Sequence, residues 1–348
     1  MIRINKKISF SEKKAPLIIA EISANHCGNK SLFLKHIKVA AKSGADLIKI
    51  QTYEPQDITI NSKKNFFKIK KGIWRGQNYW TLYKKACTPF SWHKDAFLLA
   101  KKLKVTLFST PFSERAVDFL EKFNVPLYKI SSFEITDHAL INKIASTKKP
   151  IILSTGMANL SEIKKAVKII KKYHNKIIIL YCVSGYPTPE SESHISSIPF
   201  LKKVLKTKLI GLSDHTNSIN STLASIAYNI VAVEKHFKIS NKIKSPDAQF
   251  SIIPDDLKKL KKLSKVYFDC LGRPKKFIKK SEKESIKFRR SIFSSSQIKA
   301  GEKITKKNIV ALRPKIGIDA SKYFNILGKT AKLNIPKDSP IFIKHLIN

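Results

Sequence analysis

Short runs of apolar residues alternate along most of the chain with segments whose apolar positions recur every three or four residues. The short runs are rich in Ile, Leu and Val and too brief for most helices, which is typical of buried parallel strands. Eight such strands are predicted, at Leu17–Ile22, Asp46–Gln51, Val105–Ser109, Leu127–Ile130, Pro150–Ser154, Ile177–Cys182, Lys208–Leu212 and Ile230–His236. The helical segments are predicted at Lys30–Ser43, Trp92–Lys102, Ser113–Phe123, Asp137–Ser146, Leu160–Tyr173, Ile195–Lys206, Ser218–Asn229 and Pro254–Leu271.

This alternation predicts an α/β fold class, with a (β/α)8 TIM barrel over residues 1–271. Eight strand–helix units over this length are typical of that fold. A doubly wound open sheet is the alternative, but no G-x-G-x-x-G follows the first strand. A long insertion, Tyr53–Ser91, follows the second strand and contains Trp74 and Tyr83. We expect it to fold over the barrel mouth or to join a subunit interface.

The composition changes after residue 271. Residues 272–287 are polar and rich in lysine, and we expect a linker there. Residues 288–348 contain short β-like pieces between Gly and Pro turn signals, which predicts a small, mostly β domain.

The charge balance suggests a nucleic-acid partner, but the distribution of the charged residues along the chain argues against one. Lys and Arg total 67 against 25 Asp and Glu, a formal net charge of +42. Such an excess is typical of proteins that bind nucleic acid. The lysines, however, are spread over the whole chain, and the aromatic residues fall mostly at core spacing. We therefore expect no nucleic-acid partner, although a positive field would attract an anionic substrate.

The chain also carries little that indicates a membrane or an oxidising compartment. No run of about 18 apolar residues is present, so we expect no membrane partner. The first 14 residues lack the apolar centre of a secretory signal. The four cysteines form no C-x-x-C pair, which predicts neither a disulfide framework nor a zinc site and favours a cytoplasmic location.

Polar groups stand at the carboxyl end of nearly every predicted strand, where the loops of a barrel surround one mouth. An unpaired buried charge costs several kcal/mol or more, so a series of such ends indicates function. His215 and His236 close two strands that are neighbours in a barrel, and together they could hold one divalent cation with water and substrate oxygens. A set of cationic and hydroxyl groups that suits a phosphate and a carboxylate comprises Lys49, Thr110, Lys129, Ser132, Ser154 and Ser213.

Several of these segments resemble the sialic acid synthase family, the phosphoenolpyruvate-condensing nonulosonate synthases. The matching motifs are Ile19–His26, Gly44–Tyr53, Leu153–Met157, Tyr186–Thr188, Gly211–His215 and Glu234–Phe237, and Arg313-Pro314 with Gly317-Ile318 resembles the antifreeze-like SAF module. Within the family, the segments Lys70–His93, Tyr128–Glu134 and Ser245–Ser251 are most similar to the pseudaminic acid synthase branch. N-acetylneuraminate or legionaminate synthesis is the alternative. A non-catalytic SAF-type binding protein is disfavoured because the set of strand-end groups is intact.

The resemblance implies condensation of phosphoenolpyruvate with an N-acetylated amino sugar, a 2,4-diacetamido-2,4,6-trideoxy hexose, and release of phosphate by C–O cleavage. It implies Mn²⁺ or Mg²⁺ on His215 and His236, and Glu21 as general acid or base. Lys129 would act in catalysis as well as in anion binding, and Ser184 would join the anion ligands. The sugar ligands implied are Asn25, Gln51, Tyr186, Asp247 and Arg313, the last reaching from the other subunit of a domain-swapped homodimer.

Overall fold

The structure, a computed structural model, describes residues 1–272 and 275–347. A short antiparallel pair, β1 (Ile2–Arg3) and β2 (Ser9–Phe10), precedes eight parallel strands that close into a barrel. The barrel strands are β3 (Leu17–Glu21), β4 (Leu47–Thr52), β5 (Thr106–Pro111), β6 (Tyr128–Ile130), β7 (Ile151–Ser154), β8 (Ile177–Cys182), β9 (Ile210–Asp214) and β10 (Ala232–His236). β10 pairs with both β9 and β3, which closes the cylinder and confirms the predicted fold class.

The helices of this unit are α1 (Lys30–Lys42), α2 (Tyr79–Ala86), α3 (Phe90–Lys102), α4 (Glu114–Glu121), α5 (His138–Ser146), α6 (Leu160–Lys171), α7 (Ser197–Val204), α8 (Asn220–Ser225) and α9 (Pro254–Leu271). Polar side chains cap the N-termini of several of these helices. Ser113 accepts a hydrogen bond from the N–H of Ala116 at the start of α4, and Asp137 accepts one from Leu140 at the start of α5. Each cap satisfies a backbone donor that the first helical turn leaves free.

Two apolar cores lie on opposite sides of the barrel wall. The outer core packs between the strands and the helices and includes Ile48 and Ile50 of β4. The inner core fills one end of the cylinder and includes Leu47 of the same strand, with Phe10 of β2 packed against it. Successive side chains of a strand point to opposite faces. The polar residue Lys49 therefore lies on the inward side with Leu47.

Most predicted boundaries agree with the structure within two residues, although α8 ends at Ser225 rather than at the predicted Asn229. Among the strands, β9 differs most. It was predicted at Lys208–Leu212 and runs from Ile210 to Asp214. The reason is local, because the Thr207 hydroxyl accepts a hydrogen bond from the N–H of Leu209 and holds that segment in a turn. Its later end places Ser213 and Asp214 within the strand.

The insertion after β4 folds over the barrel mouth, one of the two arrangements expected for it. The ring of His26 contacts the carbonyl oxygen of Ala86 at 3.2 Å, and the indole N–H of Trp74 donates to the carbonyl of Pro246 at 3.1 Å. These contacts tie the insertion to the loops that follow β3 and β10. His26 is thus a buried structural residue rather than a group facing the mouth.

The chain divides into two units, Met1–Gly272 and Arg273–Asn348. The second unit contains β11 (Ser291–Ser294), β12 (Ile309–Leu312), α10 (Tyr323–Ile326), β13 (Thr330–Ala331) and β14 (Leu346–Ile347), with its own isoleucine-rich core. Of the predicted linker 272–287, Arg273 and Pro274 lie outside the described residues, as does Asn348 at the end of the predicted β domain. Throughout the described ranges, no helix is long and apolar enough to cross a bilayer.

Candidate active site

The inward positions at the carboxyl ends of the barrel strands open into one cavity of about 290 Å³. Ten of the site residues predicted from the sequence line it: Lys49, Gln51, Lys129, Ser132, Ser154, Tyr186, Ser213, His215, His236 and Asp247. They come from the ends of six strands, β4 and β6–β10, and from the loop after β10. Closure of the barrel is what brings these distant segments together.

Two carboxylates and two lysines form a buried charge network beneath this cavity. Nζ of Lys49 lies 2.5 Å from Oε2 of Glu21, an ion pair rather than an aligned hydrogen bond, and 3.7 Å from Oε1 of Glu234. Nζ of Lys129 lies 3.2 Å from the same Oε1 of Glu234. Ser213 also donates to that oxygen at 3.3 Å. Glu234 thus holds the two ammonium groups side by side.

Burial and mutual attraction have opposite effects on the pKa values of the groups in this network. Burial raises the pKa of Glu21 to about 7, because desolvation penalises its anion more than Lys49 stabilises it. Burial opposes the charge on Glu234 too, but Lys129 and Lys49 outweigh it and lower the pKa of that carboxyl. Burial lowers the pKa of Lys129, only partly offset by Glu234. With two positive and two negative groups, the network can admit an anion by exchanging internal partners for it.

A glycine directly after β7 lies where a side chain would not fit. The N–H of Gly156 donates to the hydroxyl of Ser132 at 3.0 Å. A Cβ at Gly156 would overlap the hydroxyl of Ser184 and lie 2.9 Å from that of Ser132. Hydroxyl groups from the segments after β6 and β8 thus lie close together at this glycine, an arrangement suited to phosphate oxygens.

The imidazoles of His215 and His236 lie together at the cavity wall, with ring centroids 5.4 Å apart. Nδ1 of His215 contacts the carbonyl oxygen of Val183 at 3.0 Å, so it carries the hydrogen and Nε2 is left as an acceptor. Nδ1 of His236 is buried without a hydrogen-bond partner and lies 3.7 Å from a carboxylate oxygen of Asp247. Burial, with His215 next, lowers the pKa of His236 well below its ordinary value. A neutral ring with an unpartnered nitrogen is the form that binds a metal.

These two rings fit a divalent cation that takes its remaining ligands from water and substrate. Within residues 1–272 and 275–347, no group of three or more His, Cys, Asp and Glu side chains converges as a ligand set. Protein ligands for a cation at this wall would therefore be the two imidazoles. Such an open coordination shell is typical of catalytic rather than structural sites.

Two predicted groups lie behind the cavity rather than on its wall. Glu21 has no exposed surface and faces Lys49, and its role as general acid or base stays a prediction. Thr110 is fully buried and accepts a hydrogen bond from Lys49 at 3.1 Å. Both contact Lys49, which reaches the cavity. Ser184 is half-buried, and its hydroxyl stands over Gly156.

Asn25 makes its side-chain hydrogen bonds to the segment after β10. Its amide nitrogen donates to the carbonyl of Phe237 at 3.0 Å and to Ser251 at 2.9 Å, and its amide oxygen accepts from Ser245 at 2.5 Å. These bonds hold the loop that carries Asp247. The predicted place of Asn25 at the sugar stays a prediction.

Arg313 belongs to the second unit, directly after β12, and is exposed there. The structure describes the two units separately, so its predicted place in the mouth of another subunit stays a prediction.

Two carboxyls of the cavity have no role predicted from the sequence, Glu234 at the end of β10 and Glu134 after β6. Glu134 lines the cavity and accepts a hydrogen bond from Ser131. Burial raises its pKa to about 7, with nearby Lys129 acting in the opposite direction. In the sequence, the only signal for Glu134 is its place in the segment after β6. A loop has no periodicity that indicates which way a side chain points.

Sequence comparison places this architecture among known proteins. The profile of the NeuB family matches residues 36–276, and that of the SAF domain matches residues 289–347. The pseudaminic acid synthase of Helicobacter pylori is 38% identical over 94% of this chain and 96% of that protein. The N,N'-diacetyllegionaminic acid synthase of Campylobacter jejuni is 36% identical over 94% of this chain and 99% of that protein.

A solved structure is similar as well. The N-acetylneuraminic acid synthetase of Leptospira borgpetersenii, in complex with citrate, superposes with a TM-score of 0.74 at 30% identity. The match covers 82% of this chain and 95% of that one.

Proposed function

Because this chain belongs to the NeuB family, we propose that it is a pseudaminic acid synthase, an enzyme that condenses phosphoenolpyruvate with a 2,4-diacetamido-2,4,6-trideoxy hexose. The product would be a nine-carbon nonulosonic acid, and phosphate would leave by C–O cleavage. The main support for the proposal is that a lysine- and hydroxyl-rich floor and a pair of imidazoles line the same cavity.

The floor would hold the phosphate and carboxylate of phosphoenolpyruvate. Lys49 and Lys129 already share Glu234, so an arriving anion meets two ammonium groups that are aligned and desolvated. Hydrogen bonds in which one partner is charged are stronger than those between two neutral groups. The hydroxyls of Ser132, Ser154 and Ser213, which line the cavity, and that of Ser184 beside Gly156 would complete the cradle.

His215 and His236 would hold Mn²⁺ or Mg²⁺. A divalent cation bound there supplies Lewis-acid polarisation of the aldehyde oxygen of the open-chain sugar. The hydrogen bond from Nδ1 of His215 to Val183 fixes the tautomer and the direction of the ring. The support for this assignment is the unpartnered buried Nδ1 of His236.

The reaction then needs positioned partners and a series of proton transfers. The enol carbon bonds to the aldehyde carbon, whose oxygen gains a proton. Water adds at the phosphate-bearing carbon and loses a proton, which leaves a hydroxyl there. That hydroxyl loses its proton and becomes the ketone C=O as the bond between the carbon and the bridging oxygen breaks, and the departing phosphate takes up a proton. Holding both substrates in one cavity removes much of the entropic cost of the first step. Glu134, with a pKa of about 7, can give or take a proton at the wall near neutral pH.

The remaining groups would orient the sugar or tune the charges. Gln51, Tyr186 and Asp247 line the cavity and offer amide, phenol and carboxylate groups to sugar hydroxyls or acetamido groups. Glu21 would act through Lys49 by setting the charge of that ammonium.

We also propose a domain-swapped homodimer, in which Arg313 of one subunit completes the sugar site of the other. A planar guanidinium suits an acetamido carbonyl or a hydroxyl while it keeps its charge. A cytoplasmic location is proposed because all four cysteines are free thiols.

The decisive experiment is phosphate release from phosphoenolpyruvate by the purified full chain, with and without a chelator. The sugars are 2,4-diacetamido-2,4,6-trideoxy-altrose, its manno isomer and N-acetylmannosamine. We expect the altro sugar to give the highest kcat/KM, mass spectrometry to show a nine-carbon product, and a bridging ¹⁸O label to appear in phosphate. Preference for the manno isomer would support the second candidate, a diacetyllegionaminic acid synthase, which the 36% identity favours next. Label left in the sugar acid would contradict C–O cleavage.

A further inference from the structure

The cavity has two chemically different walls. The strand ends supply charged and hydroxyl groups, whereas the insertion after β4 supplies mostly apolar ones. The large aliphatic side chains of the insertion wall are Ile58, Ile69 and Leu82, here called the aliphatic roof. Ala86, Trp74 and three tyrosines complete the part of the wall that the insertion supplies. A sugar hydroxyl that faces such side chains loses its hydrogen bonds to water without replacement. The roof is therefore poorly suited to a fully hydroxylated face of a hexose.

The roof is also held in position by contacts between the insertion and the loops that follow β8 and β10. Trp74 joins the insertion to the loop after β10 through Pro246, and its ring lies 5.7 Å from that of Tyr186. Leu82 belongs to α2 and is only 5% exposed. A wall formed before substrate arrives discriminates better than one that must be ordered by binding.

Building on the proposed function, we propose that the aliphatic roof is the subsite that receives the methyl groups of a deoxygenated, N-acetylated sugar. It would thereby select such sugars over hexoses that present hydroxyls at the same place. An apolar pocket gains free energy by covering a methyl group and gains none from a hydroxyl. One methyl group in such a pocket changes kcat/KM by about tenfold or more.

The insertion offers a matched pair of isoleucines for the test. Ile58 lines the cavity, whereas Ile60, two residues later, is 68% exposed and does not. Threonine replaces the ethyl branch of isoleucine with a hydroxyl and keeps β-branching, so Ile58→Thr and Ile69→Thr make the roof more polar and slightly smaller. Ile60→Thr makes the same chemical change outside it.

The assay measures kcat/KM for 2,4-diacetamido-2,4,6-trideoxy-altrose and for N-acetylmannosamine at saturating phosphoenolpyruvate. We expect Ile58→Thr and Ile69→Thr each to lower kcat/KM for the diacetamido sugar by about tenfold. N-acetylmannosamine should lose less, and Ile60→Thr should match the wild type. The KM for phosphoenolpyruvate and the thermal midpoint should stay unchanged, which separates this subsite from a general loss of fold.

Two results would overturn the inference in distinguishable ways. If the wild type uses the diacetamido sugar but the roof variants use it equally well, the roof is not the methyl subsite and the proposed function stands. If the wild type releases no phosphate with that sugar, the proposed function fails and the subsite fails with it.

Discussion

Replacing Gly156 with alanine should weaken phosphoenolpyruvate binding by displacing one hydroxyl. The added Cβ would overlap the Ser184 hydroxyl and lie 2.9 Å from that of Ser132, so the Ser184 side chain must turn away. On the proposed function, the phosphate then loses one hydrogen bond to a charged group, worth about 1.5–3 kcal/mol. Since 1.4 kcal/mol is a factor of ten, the KM for phosphoenolpyruvate should rise roughly 10- to 100-fold.

A double-mutant cycle tests the cause as well as the size of this effect. Ser184→Ala removes the same hydroxyl directly, so Gly156→Ala combined with Ser184→Ala should behave like either single variant rather than like their product. Initial rates of phosphate release against phosphoenolpyruvate, at saturating sugar, give the KM values, and calorimetric titration gives the affinities. Met157→Ala changes a neighbouring side chain that is 63% exposed and serves as the control. Additive losses, or an unchanged KM in Gly156→Ala, would refute the reasoning.

Four further outcomes are expected. His236→Ala should abolish tight Mn²⁺ binding, read from the electron paramagnetic resonance of free Mn²⁺, and lower kcat by about 100-fold or more; retained tight binding would remove this ring from the cation site. Burial raises the pKa of Glu134 to about 7, so its proton is present below pH 7 and lost above it. With Glu134 as the donor of the proton that the aldehyde oxygen gains, kcat/KM for the sugar should fall as pH rises through 7 at saturating phosphoenolpyruvate. Glu134→Gln should lose that limb, and a limb that persists in this variant belongs to another group. Asn25→Ala should lower the free energy of unfolding, measured by chemical denaturation, by about 1–3 kcal/mol. The KM for phosphoenolpyruvate should stay unchanged. A raised KM for phosphoenolpyruvate with normal stability would contradict the loop-holding role of Asn25. Arg313→Ala should weaken sugar use while sparing metal binding, and mixed dimers of Arg313→Ala and His236→Ala chains should regain activity if the arginine crosses between subunits; mixed dimers that stay inactive would show that it does not.

The barrel could be predicted because its information is local and periodic. Each strand is a short Ile-, Leu- and Val-rich run, and every second side chain of a strand lies on the same face. Lys49 follows Leu47 at that spacing, and Lys129 follows Leu127, so inward-facing apolar residues lead to inward-facing lysines. The order of the units then places their carboxyl ends at one mouth. These facts need no knowledge of the packing around the strands.

The groups carried by loops were less predictable. Asn25 was expected near the sugar, and Glu134 was not assigned at all. A loop has no repeat that tells which way a side chain points. The structure turns the amide of Asn25 toward Ser245 and Ser251, whereas it places Glu134 on the cavity wall.

By itself, then, the sequence determined the strand-and-helix order, the (β/α)8 class and the inward side of each strand-end residue, because alternation and apolar runs are properties of neighbouring positions. Only the tertiary structure decided how those residues share their charges. It buried Glu21 beneath Lys49, placed Glu234 between two lysines and laid the insertion over the mouth as an apolar wall. Such contacts join residues far apart in the chain, and their energies depend on burial and distance, which exist only once the barrel has closed.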